Sequence, residues 1–378
     1  VVIKNGTTEP VHGATVRIEN TVLGAKTDRD GKFYIKKLPD GNFTLLITMI
    51  GMKPVRKEIE IRHYPGDEIV LDMEMEENPL KTADIVVTAT RSEKIYEDVP
   101  IKVSTLAQEA LEISFSNTIK EGLVFQPGVR TETNCQNCGF SQVRINGLEG
   151  KYSQILIDGK AVFSALNGVY GLDQIPSSML DRVEVIRGGA SSLYGGNAIA
   201  GVINIITKEP CANSYELSYN GSFANSDAPQ RIVNLNASVL SDNADMGFIV
   251  FGTLNHRAAY DANADGFSDI GKLDVNTFGG KYFWKINPKQ KLTAEYHNIQ
   301  FKIRGGDQLD KQPHESEICE MAESKTDLFQ LSHDWIVTGN DRLSVYASMQ
   351  NTHRDSYYGA GKDPNAYGFT DNTTYAAG

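Results

Sequence analysis

Long segments of alternating apolar and polar residues fill the second half of the chain, from Ser214 onward. A period of two is typical of strands that bury one face, so these segments are predicted to be β-strands. Seven of them have ten or more residues: SYELSYNGSFA, QRIVNLNASVL, MGFIVFGTLNHRA, LDVNTFGGKYFWKI, QKLTAEYHNIQFKI, KTDLFQLSHDWIV and DRLSVYASMQNTHR. Tight junctions at Asn287-Pro288 and Gly339-Asn340 alternate with long polar connections at 258–271 and 304–324. Short turns on one side and long loops on the other indicate a transmembrane β-barrel over residues 209–378.

Shorter strands are predicted over residues 1–77, where Gly, Pro and Asp separate apolar runs. The runs are VVIKNG, ATVRIEN, KFYIKKL, NFTLLITMI, EIEIR and EIVLDMEM. Strands that recur at about this spacing predict a small β-sandwich. Residues 78–90, NPLKTADIVVTAT, then form a junction, because Pro79 breaks regular structure and the β-prone segment after it is extended.

Residues 91–208 mix helical and strand patterns, which indicates an α+β domain. A helix-like stretch, ALEISFSNTIKEGLVFQPGVR, is expected to end at Pro127-Gly128. The segment from Leu180 to Lys208, LDRVEVIRGGASSLYGGNAIAGVINIITK, places glycines between two β-branched runs, so we expect tight turns and backbone packed too closely for side chains. It lacks the GxxxxGK[ST] pattern of a phosphate loop. The fold class predicted for the whole chain is therefore mainly β.

Composition narrows the function classes. The net charge of -11 and a pI near 5.2 argue against a nucleic-acid partner, which requires a basic face. No run reaches the roughly 18 apolar residues of a transmembrane helix. No convincing catalytic constellation is present, so we expect a protein that is not an enzyme.

The segment from Leu180 to Lys208 resembles the end of the plug domain of TonB-dependent outer-membrane receptors, with its arginine-glycine turn, its small-residue loop holding a tyrosine, and its closing strand. Residues 91–208 resemble the plug nearly throughout. Residues 1–77 resemble the carboxypeptidase regulatory-like module in Pro10-Val11-x-Gly13, Thr27-Asp28-x-x-Gly31 and Leu38-Pro39-x-Gly41. A plugged lumen takes about 22 strands. We therefore expect the barrel to continue beyond Gly378. Because the chain begins inside a predicted strand, Val1 to Lys4, we also expect a leader to precede it.

This resemblance implies a receptor in the outer membrane of a Gram-negative bacterium, with the N-terminal module in the periplasm and the barrel in outer-membrane lipid. It implies import of a scarce solute, a metal chelate such as a ferric siderophore, heme or cobalamin, with energy from TonB and its inner-membrane complex. A surface lipoprotein partner is compatible with it. Two alternatives stay open: a surface signalling or adhesion protein that keeps the plug fold but does not transport, and a soluble periplasmic enzyme with a β-sandwich appendage.

The junction 78–90 resembles a Ton box, the peptide that pairs edge-on with a strand of TonB. Strand addition suits a short extended segment, because main-chain hydrogen bonds supply affinity and alternate side chains supply selectivity. The residues assigned to TonB binding are Asp84, Ile85, Val86, Val87, Thr88 and Ala89.

Two plug loops are candidates for ligand contact. Cys135 and Cys138 stand three residues apart in a polar loop, where a local disulfide, a soft-metal or substrate contact and a redox role are all open. The resemblance places this loop at the apex of the plug, facing the external ligand. The candidate substrate-binding residues are Cys135, Gln136, Asn137, Cys138 and Phe140 in this loop, and Phe163, Leu166 and Tyr170 in the next one.

Arg144 and Arg187 match, by the same resemblance, two plug arginines that pair with barrel glutamates and hold the plug. Their glutamates are expected beyond Gly378. The alternative is that both arginines make surface salt bridges within the plug.

The segment DANADGFSD carries oxygen side chains at alternate positions, as in the first half of a calcium loop. Its candidate ligands are Asp261, Asn263, Asp265 and Asp269, although Lys272 stands where an EF-hand requires glutamate. A calcium-stabilised external loop and a solvated Asx-rich turn are both open. No cofactor is expected to be required.

Overall fold

The computed structural model describes residues 1–36, 38–49, 52–62, 69–77, 85–86, 94–95, 103–135, 140–161, 175–189, 191–196, 198–225, 228–338 and 341–378. It confirms the mainly β fold, with a small sandwich, an α+β plug and a long antiparallel sheet. In these ranges, no helix has both the length and the apolar character needed to span a membrane.

The N-terminal domain is a two-layer sandwich. Its strands are β1 (Val2–Lys4), β2 (Thr15–Ile18), β3 (Gly24–Lys26), β4 (Gly41–Thr48), β5 (Val55–Ile61) and β6 (Met73–Met75). One sheet has the order β3-β2-β4-β5, and the other pairs β1 parallel to β6. Their facing side chains share one apolar core, in which Val16, Ile47 and Met75 are fully buried.

Two details of the sandwich differ from the sequence prediction. The run KFYIKKL makes no strand over its described residues, because the backbone here closes a turn in which Asp28 N–H donates to Lys32 O (2.9 Å), while Phe33 and Ile35 still pack against the core. Strand β3 was not predicted, since Gly24–Lys26 has no β-branched residue. A Cβ on Gly24 would lie 2.7 Å from the carbonyl oxygen of Val16, so the pairing of β3 with β2 requires glycine there.

The plug is built on a five-stranded mixed sheet. Its elements, with the preceding junction, are β7 (Ile85–Val86), β8 (Lys94–Ile95), β9 (Val103–Ala107), α1 (Gln108–Ile113), α2 (Ile119–Leu123), β10 (Val129–Cys135), β11 (Phe140–Ile145), a 3-10 turn (Gly150–Tyr152), β12 (Ser153–Ile157), β13 (Lys160–Ala161), a 3-10 turn (Ser177–Met179), β14 (Leu180–Arg187), α3 (Ser191–Tyr194) and β15 (Gly201–Thr207). The sheet order is β13-β12-β15-β14-β9, with β12 parallel to β15, and β10 and β11 form a separate hairpin. The two apolar runs of the glycine-rich segment form β14 and β15, which pair antiparallel within this sheet.

The stretch predicted as one helix ending at Pro127-Gly128 contains two short ones. Phe115, with φ of 53°, takes the left-handed conformation that ends the first. Thr118 then caps α2, because its side chain accepts from Glu121 N–H (3.4 Å). The second helix ends at Leu123, four residues earlier than Pro127.

The glycines of the Leu180–Lys208 segment have different roles. A Cβ on Gly201 would lie 2.1 Å from the carbonyl oxygen of Ile186, which is the close backbone approach predicted. Gly188 and Gly195 instead have φ of 102° and 90° with open space around them, so they serve turns. Gly201 thus serves the predicted close approach, and Gly188 and Gly195 serve the predicted tight turns.

The rest of the described chain is one antiparallel sheet in which every strand pairs with the next. Its strands are β16 (Ser214–Ala224), β17 (Ala228–Leu240), β18 (Met246–Arg257), β19 (Lys272–Asn287), β20 (Gln290–Gly306), β21 (Ile318–Ile336), β22 (Arg342–Ala360) and β23 (Tyr367–Ala377), with a 3-10 turn at Pro313–Glu315. Burial alternates along each central strand, as at Phe283 (1% exposed) and Trp284 (41%). Seven strands were predicted; β23 was missed because its polar residues, in YGFTDNTTYAA, weaken the alternation.

Candidate functional site

A buried polar cluster joins the plug to the inner face of the eight-stranded sheet. Its plug side is the turn after β12, where Asp158 is fixed by Thr207 of the neighbouring strand β15. Thr207 donates to Asp158 twice, from its backbone N–H (3.1 Å) and from its hydroxyl (2.5 Å). Asn204 Oδ1 accepts from Gly159 N–H at 2.9 Å. The plug's own residues thus fix the position of the Asp158 carboxylate, independently of the barrel.

Lys281 of β19 brings the first barrel charge into this cluster. Its Nζ lies 3.1 Å from Asp158 Oδ2 and 3.0 Å from Thr207 Oγ1. Burial raises the pKa of Asp158, while the positive charge of Lys281 acts in the opposite direction. The Lys281 side chain is only 9% exposed, so water screens this interaction little.

Glu295 of β20 brings the second barrel charge into this cluster, opposite in sign to Lys281. It lies directly opposite Lys281 in the β19–β20 register, and its Oε1 is 3.9 Å from Lys281 Nζ and 3.4 Å from Lys160 Nζ of the plug. Two plug charges, Asp158 and Lys160, therefore meet two barrel charges of opposite sign. Breaking one partner of a buried pair costs far more than the pair contributes as a whole, so such a cluster fixes position more than it adds stability.

Neither Lys281 nor Glu295 was singled out in the sequence. Both occupy inward-facing positions of predicted strands, beside the outward-facing aromatics Tyr282 and Tyr296. A charged residue at an inward position of an alternating strand is the signal that could have found them.

The predicted latch arginines contact plug oxygens in the part of the chain that the structure describes. Arg144 Nε donates to Glu132 across the β10–β11 hairpin at 2.5 Å, and Arg187 Nη1 donates to the carbonyl oxygen of Pro127 at 3.0 Å. The Arg144–Glu132 contact is a salt bridge within the plug, whereas the Arg187 contact is a hydrogen bond to the main chain. The pairing of either arginine with a glutamate beyond Gly378 stays a prediction.

The predicted calcium loop has the hydrogen bonds of an Asx-rich turn. Asp261 accepts from the N–H groups of Ala264 and Gly266, both at 2.8 Å, and Asp269 accepts from Ala262 N–H at 2.7 Å. Across the described ranges, no group of three or more His, Cys, Asp or Glu side chains is arranged to hold a metal ion. Calcium at Asp261, Asn263, Asp265 and Asp269 stays a prediction.

Two families match this architecture at the level of sequence. The TonB-dependent Receptor Plug Domain matches residues 96–202, and the CarboxypepD_reg-like domain matches residues 1–87. The chain therefore contains the plug domain of the TonB-dependent receptors, preceded by a CarboxypepD_reg-like domain.

Relatives of the receptor share part of its length. A vitamin B12 transporter, BtuB, of Photobacterium profundum is 28% identical over 225 residues, which are 57% of this chain and 35% of that protein. An iron-regulated outer membrane virulence protein of Vibrio cholerae is 34% identical over 132 residues, 33% of this chain and 20% of that protein. The chain thus spans about a third or less of these relatives.

Solved structures share the receptor's fold. A mutant of the ferric enterobactin receptor PfeA of Pseudomonas aeruginosa, in complex with enterobactin, superposes with a TM-score of 0.59 at 20% identity, over 73% of this chain and 45% of that one. The siderophore receptor PirA of Acinetobacter baumannii gives 0.58 at 21% identity, over 73% and 43%.

Most of the receptor's predicted contact residues lie outside the described residues. Of the predicted Ton box, Ile85 and Val86 form β7, which pairs antiparallel with Lys94–Ile95, whereas Asp84, Val87, Thr88 and Ala89 are not described. Cys135 ends β10, Phe140 begins β11, and the two stand opposite each other in register. The six remaining ligand candidates lie outside the described residues: Gln136, Asn137, Cys138, Phe163, Leu166 and Tyr170. All eight assignments of ligand contact stay predictions.

Proposed function

We propose that the protein is an outer-membrane transporter that imports a metal chelate with energy delivered by TonB. The observation that carries the proposal is the buried charge cluster, in which Asp158 and Lys160 hold the plug against Lys281 and Glu295 of the barrel. The contact is specific but non-covalent. A plug held in this way closes the lumen at rest and can be released by force.

The proposed substrate is a cobalamin or a ferric siderophore. Heme is a third candidate, and the growth test described below distinguishes the three chelates. Support comes from the relatives, since one is named a vitamin B12 transporter and two structural neighbours are named as siderophore or ferric enterobactin receptors. The proposed location is the outer membrane of a Gram-negative bacterium, with the N-terminal domain on the periplasmic side.

TonB is proposed to bind Asp84–Ala89. Within this segment Ile85 and Val86 already have extended backbone, paired with Lys94–Ile95 in a two-residue ladder. A partner strand that adds to this segment would use the same kind of main-chain hydrogen bond.

The test uses a strain that lacks this receptor. The strain is supplied with cobalamin as its only source of vitamin B12, or with ferric enterobactin or heme as its only source of iron. The wild-type gene should restore growth on one of them. Ile85→Pro, which removes a main-chain donor from the Ton box, should abolish that growth while ligand binding to whole cells persists. The proposal is contradicted if Ile85→Pro supports normal growth, as expected of a non-transporting surface protein, or if the product is soluble in the periplasm.

A further inference from the structure

The hairpin formed by β2 and β3 in the N-terminal domain contacts both the plug and the barrel. Lys26, at the end of β3, donates a charge-assisted hydrogen bond to Asp181 of plug strand β14. Val22, in the connection between the two strands, donates its N–H to the carbonyl oxygen of Pro288 at 2.8 Å. Pro288 lies in the tight turn between barrel strands β19 and β20, so one hairpin bridges two different parts of the receptor.

A second group of charged residues, Arg17, Glu209 and Lys291, comes from the same three parts of the molecule. Glu209, in the connection from the plug to β16, accepts from Lys291 Nζ of β20 at 2.5 Å. Burial lowers the pKa of the Arg17 guanidinium in β2 to about 10, while the charge of Glu209 raises it. Arg17 is half-buried and lies within electrostatic range of Glu209, close to where the N-terminal domain, the plug and the barrel meet.

We propose that the β2–β3 hairpin is a strap that fastens plug strand β14 to the barrel turn at Pro288, so that the N-terminal domain must undock before the plug can move. The proposal rests on the transport function proposed above. It assigns the N-terminal domain a regulatory role.

The position of the Ton box in the chain supports this role. Ile85 and Val86 stand between the N-terminal domain, which ends near Glu77, and plug strand β9, which begins at Val103. A pull on the Ton box therefore reaches the N-terminal domain on one side and the plug on the other. The strap is suited to release, because the side chains of Lys26 and Asp181 keep 33% and 23% exposure and a partly solvated pair is individually weak.

The docking is tested by cross-linking in the full receptor in outer-membrane vesicles. Cys211 is first replaced by serine, since its thiol is exposed. Val22→Cys with Pro288→Cys should form a disulfide on mild oxidation, because the hydrogen bond between these residues brings their backbones close enough for one. Lys57→Cys with Pro288→Cys is the matched control, as Lys57 lies in β5, at the opposite edge of the same sheet from β3. Absence of the first cross-link, or equal formation of both, overturns the docking.

The strap itself is tested by hydrogen exchange of the peptide Leu180–Arg187. Exchange should be severalfold slower in the oxidised V22C/P288C receptor than in its reduced form, and severalfold faster in Lys26→Glu than in the Lys57→Glu control. Lys26→Glu with Asp181→Lys should return it towards the wild-type rate. Equal exchange in all these forms overturns the proposal.

The measurement requires neither substrate nor TonB. Failure of cobalamin, siderophore and heme uptake would therefore contradict the proposed transport function without affecting this result.

Discussion

Lys160 of the plug and Glu295 of the barrel form an ion pair, with 3.4 Å between Nζ and Oε1, although 135 residues separate them in the chain. The two side chains are 9% and 1% exposed. The pair is thus a tertiary contact that the fold alone creates, and it holds the position of the plug inside the sheet.

Glu295→Leu alone should weaken the plug–barrel contact by about 3 kcal/mol, because it leaves Lys160 buried without its counter-charge and leaves Lys281 paired with Asp158 only. Lys160→Met combined with Glu295→Leu removes both charges of one pair and should cost much less. The measurement is a double-mutant cycle on the free energy of plug unfolding in urea. Additive effects of the two single changes would show that the pair is not coupled.

Asp181 gives the strap a predicted pH dependence. Burial by itself would raise the pKa of Asp181, but Lys26 and Arg182 outweigh it and hold the pKa well below the ordinary value of 3.8. A lowered carboxyl pKa stabilises the folded contact above the unfolded pKa of about 3.9, and that stabilisation is lost as pH falls through the folded pKa.

The backbone amides of Leu180–Arg187 should therefore be equally protected from hydrogen exchange between pH 5 and 8, after correction for intrinsic rates. Their protection should fall below about pH 4. In Asp181→Asn the protection should be lower at neutral pH and should change less below pH 4. An unchanged acid response in Asp181→Asn would assign the effect to another group.

Gly201→Ala should destabilise the plug by about 1–3 kcal/mol, since its Cβ would meet the Ile186 carbonyl oxygen at 2.1 Å and one strand of the pair must shift. Gly189→Ala is the control, because a Cβ there has open space and the backbone does not have a positive φ. Thermal unfolding of the purified receptor compares the two. Equal melting temperatures would contradict the close approach of β14 and β15.

The hydrogen bonds of the loop at Asp261 predict that it is stable without calcium. Backbone N–H groups already occupy both carboxylate oxygens of Asp261 and one of Asp269. Calcium chelation should then leave the melting temperature and the proteolysis of this loop unchanged, whereas Asp261→Ala should make the loop more sensitive to protease. Protection by added calcium would favour the calcium-loop interpretation.

Local patterns predicted most of this fold. Alternation identified seven of the eight long strands, and the paired β-branched runs identified β14 and β15. Errors arose where local and tertiary preferences differ. The left-handed Phe115 divides an apparently continuous helix, and the close approach to Val16 makes a strand of Gly24–Lys26 without β-branched residues.

The candidate site could be predicted only in part. The resemblance to plug domains pointed to charge pairs between plug and barrel, but it directed attention to Arg144 and Arg187. Which inward-facing barrel residue meets which plug lysine depends on how the plug sits in the sheet, and a single sequence carries no information on that placement. The inward-facing charges could have marked Lys281 and Glu295 in the sequence, but their plug partners became visible only in three dimensions.

The most direct test of the proposed function is uptake of radiolabelled cyanocobalamin, ferric enterobactin and heme by cells that express this receptor alone, with and without a proton uncoupler. We predict that one of the three accumulates, that the uncoupler abolishes its accumulation, and that its binding at the cell surface persists. Failure of all three to accumulate, or accumulation that the uncoupler does not change, would contradict the proposal that this receptor imports such a chelate with TonB-delivered energy.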